Sequence, residues 1–300
     1  MKTENINHEF LDGVLSGAHE DAYYHFGVAS SDPILDALGD LKAVILAGSG
    51  GRIKEFAARW SDLNGGSPIV AFPKEDRFTT RYTAGVLFAS HGMGMPSASI
   101  ALQELMRMVF FLKHGDLDAL DEVFWCRVGT SGGVGLPGGT VVVSSEGLMA
   151  DLKPYRVLNG GNGEYWFDGR FPADIYNAII AANVGAADLS AVSGKTVAGN
   201  EFFLEQFRLD GAVCLATQQD KMAWLKWLDE NGVRNIEMEG AMLAGYLNHW
   251  GFSRFAMICC TLLNRLEGDQ VTATPEQLHQ FSEDSGLALF NYLRGELIDG

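Results

Sequence analysis

Positive charge is scarce in this chain of 300 residues: 22 Lys and Arg stand against 38 Asp and Glu, a formal net charge of −16. A general nucleic-acid binder carries a basic face that displaces phosphate counterions, so that class is excluded. Cysteine is sparse too. The four present, Cys126, Cys214, Cys259 and Cys260, lie in apolar runs without the spacing of a metal knuckle, and read as buried free thiols of a reducing compartment. No apolar run is long enough to span a bilayer, and the segment Met1 to Phe10 holds no apolar signal core. A cytoplasmic protein without membrane contact is expected. Internal repeats and low-complexity segments are also missing, which argues against a repeat array.

What is present is an ordinary globular balance, 47% apolar and 20% charged. Residues 1–26 are polar and weakly patterned and read as an N-terminal arm, with 27–300 as a single domain. In that domain short aliphatic runs alternate with amphipathic stretches. Ala43 to Ala47 reads as a buried strand entering a glycine turn, with Arg52 to Leu63 as the helix that follows. Gly85 to Ser90 reads as a second strand, leading through Pro96 into a helix. Val123 to Val128 is a third strand, joined by a glycine-rich loop to a fourth at Thr140 to Ser144. Residues 146–170 read as an irregular surface excursion. Beyond them the pattern predicts strands at Ala212 to Ala216, Arg234 to Ile236 and Phe255 to Thr261. It predicts helices at Gln219 to Asn231, from Glu239, and at Pro275 to Tyr292. Such alternation predicts a three-layer α/β/α sandwich with a central mixed β-sheet.

Two motifs invite other readings. Gly129-Thr-Ser-Gly-Gly133 fits the Gly-x-Ser-x-Gly elbow of α/β-hydrolases, but that elbow needs a helix straight after the serine, and Val134-Gly-Leu-Pro-Gly-Gly139 cannot form one. Gly48-Ser-Gly50 follows a strand as a dinucleotide fingerprint would, yet the third glycine position holds Ile53. What survives is a strand-to-helix turn whose amides could bind an anion, or a plain structural turn. Arg52, Arg77 and Arg127 raise the anion reading. Arg127 does so most, because a guanidinium ending a buried strand costs desolvation unless it meets an anion. Glu237 and Glu239 stand where a strand meets a helix. Glu239 there reads either as an acceptor for a diol such as ribose or as a first-turn complement to the helix dipole.

Ser90-His-Gly-Met-Gly94, Arg127-Val-Gly-Thr-Ser-Gly-Gly133, Asn235-Ile-Glu-Met-Glu239 and Leu262-Leu-Asn-Arg-Leu-Glu-Gly-Asp-Gln270 occur in this order. Together they resemble the animal-type uridine phosphorylases of the nucleoside phosphorylase-I family, over about Asp21 to Tyr292. The resemblance implies phosphorolysis of uridine to uracil and ribose 1-phosphate, with inorganic phosphate as co-substrate and neither cofactor nor metal. It implies that phosphate is held by Gly48, Arg52, Arg127 and Thr130, with Arg77 reaching in from a neighbouring subunit. Ribose would be held by Met238 and Glu239, with His25 touching the 5'-hydroxyl in the other subunit's site. The resemblance therefore implies a homodimer with shared active sites.

The segment Phe202 to Arg208 is similar to that family's uracil-binding segment. Gln206 and Arg208 are expected on the polar edge of the base, with Phe202 stacking on its ring. Leu262, Leu263 and Val271 would line the apolar side, with Arg265 bracing the pair. Arg127, Gln206 and Arg208 are the expected catalytic residues and Ser131 a structural one. The chain departs from the family where Glu205 and Phe207 replace expected glycines, where the run between Asn200 and Phe202 is shortened, and where the turn reads Ala47-Gly-Ser-Gly-Gly-Arg52. Purine phosphorolysis, nucleoside hydrolysis or noncatalytic nucleoside binding on the same fold remain as alternatives.

Overall fold

A computed structural model describes residues 1–74, 77–185 and 189–297. Two compact units are distinguished: Met1–Arg127 with His249–Phe255, and Val128–Asn248 with Ala256–Gly300.

In the first unit, helix α1 (His8–Leu15) starts at Asn7, whose side chain accepts from the Phe10 amide. Strands β1 (Ala22–Tyr23) and β2 (Val28–Ala29) form a small antiparallel pair. The expected first strand is β3 (Ala43–Ala47), buried along its whole length. It pairs in parallel with β5 (Val86–Ser90) on one side and with β6 (Phe124–Gly133) on the other. A strand flanked on both sides and covered on both faces has no polar face to show, and a continuous aliphatic run results. The edge strand β4 (Thr80–Thr83), which the sequence pattern did not reveal, is antiparallel to β5.

Helix α2 (Gly50–Leu63) is capped by the Ser49 side chain, which accepts from the Arg52 amide, and it buries Ile53, Phe56, Ala57 and Trp60. That spacing is one helical face, and each large apolar side chain so covered contributes about 1.5–3 kcal/mol. Helix α3 (Met95–Leu112) has Pro96 in its first turn, and the short α4 (Leu117–Asp121) leads into β6. Glu104 and Arg107, one turn apart on α3, hold the N-terminal segment. Glu104 bonds His25, and Arg107 Nη1 lies 3.0 Å from buried Asp21.

In the second unit, β7 (Val141–Leu148) lies between β10 (Ala191–Ala198), parallel, and β12 (Phe255–Asn264), antiparallel. Strand β11 (Val233–Glu237) continues this order beside β10. A hairpin of β8 (Tyr155–Leu158) and β9 (Glu164–Phe167) occupies the expected surface excursion. Helix α5 (Ala173–Ala182) precedes β10. Helix α6 (Gln218–Glu230) begins with a Thr217–Asp220 capping box, and its Leu225 and Leu228 pack on Val134, Val197, Val233 and Ile236. Helices α7 (Gly240–Trp250) and α8 (Pro275–Leu297) complete the unit, α7 ending in residues of the first. The expected α/β class with a mixed central sheet is borne out.

Three expectations are corrected. Residues 212–216 form no strand: Val213 is 60% and Leu215 83% exposed. With them Cys214 is exposed, while the other three cysteines are buried. Strand β6 also runs on to Gly133, five residues past the expected end, because Gly132 and Gly133 pair with Ile236 and Asn235 of β11.

Candidate active site

The carboxyl ends of parallel strands are where open α/β sheets bind ligands, and in the first unit two of the predicted anion-binding residues, Gly48 and Arg127, stand where the parallel pairing of β3 ends. Register pairs Leu46 of β3 with Arg127 of β6, and Ala47 of β3 with Ser90 of β5. Gly48 therefore leaves the sheet beside the end of β5, and a Cβ on it would lie 3.1 Å from the Gly92 carbonyl oxygen. Arg52 follows in the first turn of α2, where N–H groups and the helix dipole favour an anion. Arg127 is buried at 6% exposure, whereas Arg77 is exposed on the loop before β4. That loop is tied in by the Thr79 amide, which donates to Ser90 Oγ at 2.8 Å. His25 Nδ1 lies 2.6 Å from Glu104 Oε1, so Nε2 is the ring nitrogen this pairing does not engage.

The second unit carries the remaining predicted residues. Thr130 stands three residues beyond Arg127 on β6, half-buried. Ser131 is buried with its Oγ accepting from Asn235 Nδ2 at 3.0 Å, and Asn235 Oδ1 accepts from Thr196 Oγ1 at 2.7 Å. A serine in mid-strand, engaged in a buried polar chain and followed by no helix, is no nucleophile elbow.

At the β11–α7 junction, Glu237 takes the capping position: its carboxylate accepts from the Glu239 and Gly240 amides, both at 2.8 Å. Helix capping thus falls to Glu237, while Met238 is half-buried and Glu239 buried. Gln206 reaches the same junction through Nε2, 3.4 Å from the Glu237 carbonyl oxygen.

Gln206, buried, and Arg208, half-buried, adjoin a cluster of buried charges. Arg265, 1% exposed, donates from Nη2 to the Gln206 carbonyl oxygen at 2.7 Å and from Nε to Asp269 at 3.0 Å. The expected bracing by Arg265 thus acts on the backbone of Gln206. A Cβ on Gly132 would lie 2.9 Å from the Arg265 Cγ, so the glycine leaves room for the arginine stem. Lys221 of α6 reaches Asp269 at 2.8 Å. Burial opposes ionisation of Asp269, but the Lys221 and Leu209 hydrogen bonds and the Arg265 charge outweigh it and hold its carboxyl below the ordinary range. Burial lowers the Arg265 guanidinium from its ordinary value, against the pull of Asp269.

Arg208 donates to Asp210 and to the Asp269 carbonyl oxygen, and its guanidinium carbon lies 4.4 Å from the Phe202 ring centroid. Phe202, expected on the base, has the arginine over its ring. Leu262 and Leu263 are half-buried at the end of β12, and Val271 is exposed.

Sequence reasoning missed Lys221, Asp210 and Asp269, although the last lies in a motif singled out for its neighbours. Phe207 adopts φ +49°, the left-handed region that favours glycine, and its ring stacks on Trp224 at 5.1 Å. The expected glycine at 207 thus corresponds to a real backbone requirement.

Residues 42–295 match the family described as the phosphorylase superfamily, and the chain belongs to it. Among its relatives are two proteins of Schistosoma mansoni. "Uridine phosphorylase A" is 34% identical over 93% of this chain and 94% of its own length. "Inactive uridine phosphorylase B" is 32% identical over the same shares. A solved structure of uridine phosphorylase from Schistosoma mansoni in complex with 5-fluorouracil superposes with a TM-score of 0.87 at 33% identity, covering 97% of this chain and 98% of that one. No described helix is long and apolar enough to cross a membrane, and no group of three or more His, Cys, Asp or Glu among the described residues could hold a metal ion.

Proposed function

We propose that this chain is a uridine phosphorylase, a pentosyltransferase that converts uridine and inorganic phosphate to uracil and ribose 1-phosphate. The observation that carries the reading is the Gln206–Arg208 pair, the first buried and the second half-buried: a carboxamide that both donates and accepts and, two residues on, a guanidinium, which suits the O2, N3–H and O4 edge of uracil. Phosphate binds at the Gly48 amide, Arg52, Arg127 and Thr130, with Arg77 supplied by a second copy. Met238 and Glu239 hold the ribose diol, and His25 of that second copy meets the 5'-hydroxyl. Phe202, Leu262, Leu263, Arg265 and Val271 complete the base site.

The C1'–N1 bond breaks with its electron pair passing to the base while a phosphate oxygen forms the new bond at C1', and the proton of hydrogen phosphate ends on uracil. Positioning by Arg127 and charge stabilisation by Gln206 and Arg208 supply the rate, with no side-chain nucleophile and no cofactor. Residues 1–26 serve as an arm in a cytoplasmic homodimer, and 27–300 as the catalytic domain.

Two relatives of nearly equal identity, one named inactive, mean that overall likeness does not decide between catalysis and nucleoside binding without turnover. Incubation of the purified protein with uridine or inosine, with and without phosphate, decides it. Uracil release only with phosphate and uridine is expected. Release without phosphate identifies a nucleosidase, inosine cleavage a purine enzyme, and binding without turnover a noncatalytic homologue.

A further inference from the structure

Arg208 has five N–H donors, and three are already used. Nε donates to Asp210 Oδ1 at 2.9 Å and Nη2 to Asp210 Oδ2 at 2.6 Å. The second Nη2 hydrogen is taken by the Asp269 carbonyl oxygen at 3.0 Å. The Nη1 pair is the edge left to a ligand. The Asp210 fork is itself held, since Gln270 Nε2 donates to Oδ2 at 2.5 Å. Phe202 covers one face of the guanidinium. Arg208 and Asp210 are 11% and 19% exposed at their side chains, sheltered enough for a two-point ionic bond to fix orientation.

We infer that Asp210 is a positioning residue for the leaving base, gripping the Nε–Nη2 edge of Arg208 so that Nη1 points at the pyrimidine oxygen where negative charge develops. The inference rests on the uridine phosphorylase reading. Arg208, Arg265 and Lys221 face the carboxylates of Asp210 and Asp269, so the cluster holds one positive charge in excess. Removing the Asp210 carboxylate adds a further positive charge, which by Coulomb attraction alone would help an anionic leaving group. Loss of the fork lets the guanidinium swing, which hinders it. The sign of the rate change therefore separates orientation from counter-charge.

The test measures kcat/KM of Asp210→Asn and Asp210→Glu on uridine and 5-fluorouridine, whose fluorine makes the departing base a more stable anion. Asp210→Asn is expected to lose about 10- to 100-fold on uridine and clearly less on 5-fluorouridine, with KM for phosphate unchanged and with partial rescue in Asp210→Glu. Equal losses on both nucleosides, a rise in KM for phosphate in step with them, or a gain in rate would overturn the inference. Unfolding midpoints of both variants accompany the kinetics, and if Asp210→Asn does not fold, the ratio of the losses on the two nucleosides is read on Asp210→Glu. Wild-type protein that fails to cleave uridine removes the underlying reading. Wild-type protein that cleaves it, with a variant ratio that does not move, removes the inference alone.

Discussion

At Asp269 three donors meet one carboxylate: Lys221 Nζ at 2.8 Å, Arg265 Nε at 3.0 Å and the Leu209 amide at 3.0 Å. Removing the charge leaves two buried cations facing a neutral amide, a change of about 3–5 kcal/mol in comparable sites. Asp269→Asn should therefore lower stability by a few kcal/mol at pH 7, measured by urea unfolding. The pH dependence has a definite sign. Because its folded pKa lies below the unfolded value, ionised Asp269 contributes in full above about pH 4, and the contribution is lost as pH falls through the folded value. The variant should show a shallower loss of stability on acidification than the wild type. A parallel pair of curves would mean that the carboxylate is not held charged by its partners. Gln206, Arg208 and Arg265 were legible in the sequence because they fall in motifs. Lys221 was not, since a lysine on an amphipathic helix reads as solvated until the structure shows its head group buried.

Among the elements, those buried on both faces were the readable ones. Ala43–Ala47 declares itself, as every residue is apolar and every one is covered. Strand β10 does not, because Ser193, Gly194 and Lys195 interrupt its pattern, and its place is set by pairing with β7 and β11 on either side. The run 212–216 misleads in the opposite way, being apolar in sequence and exposed in the structure. The segment around Phe207 combines both effects. Its backbone pays a left-handed penalty of about 1–2 kcal/mol, set against a stack on Trp224 that contributes about 0.5–1.5 kcal/mol. Phe207→Ala keeps the strain and loses the stack, so it should lower the stability measured in urea by about 1–2 kcal/mol. Phe207→Gly should lose about 1 kcal/mol less than that. Identical midpoints for the two would show that the backbone there carries no strain.

For the whole molecule, the acidic balance of −16 makes an anionic co-substrate unwelcome except where arginines reverse the field. Arg52, Arg77 and Arg127 are the side chains in question, and the exposed position of Arg77 suits a residue donated to another copy. A shared site makes a quantitative prediction. If Arg77→Ala and Arg208→Ala are each inactive, co-refolding them in equal amounts should restore about a quarter of wild-type activity, because half of the dimers are mixed and each mixed dimer has one intact site. Activity that stays at zero would place both arginines in one protomer's site.

The central claim is that phosphate, not water, takes the ribose. Following uridine turnover by phosphorus NMR tests it most directly. The account predicts one ribose 1-phosphate formed and one phosphate consumed for each uracil released. Uracil released with free ribose and no phosphate consumed, or no uracil released at all, would contradict it.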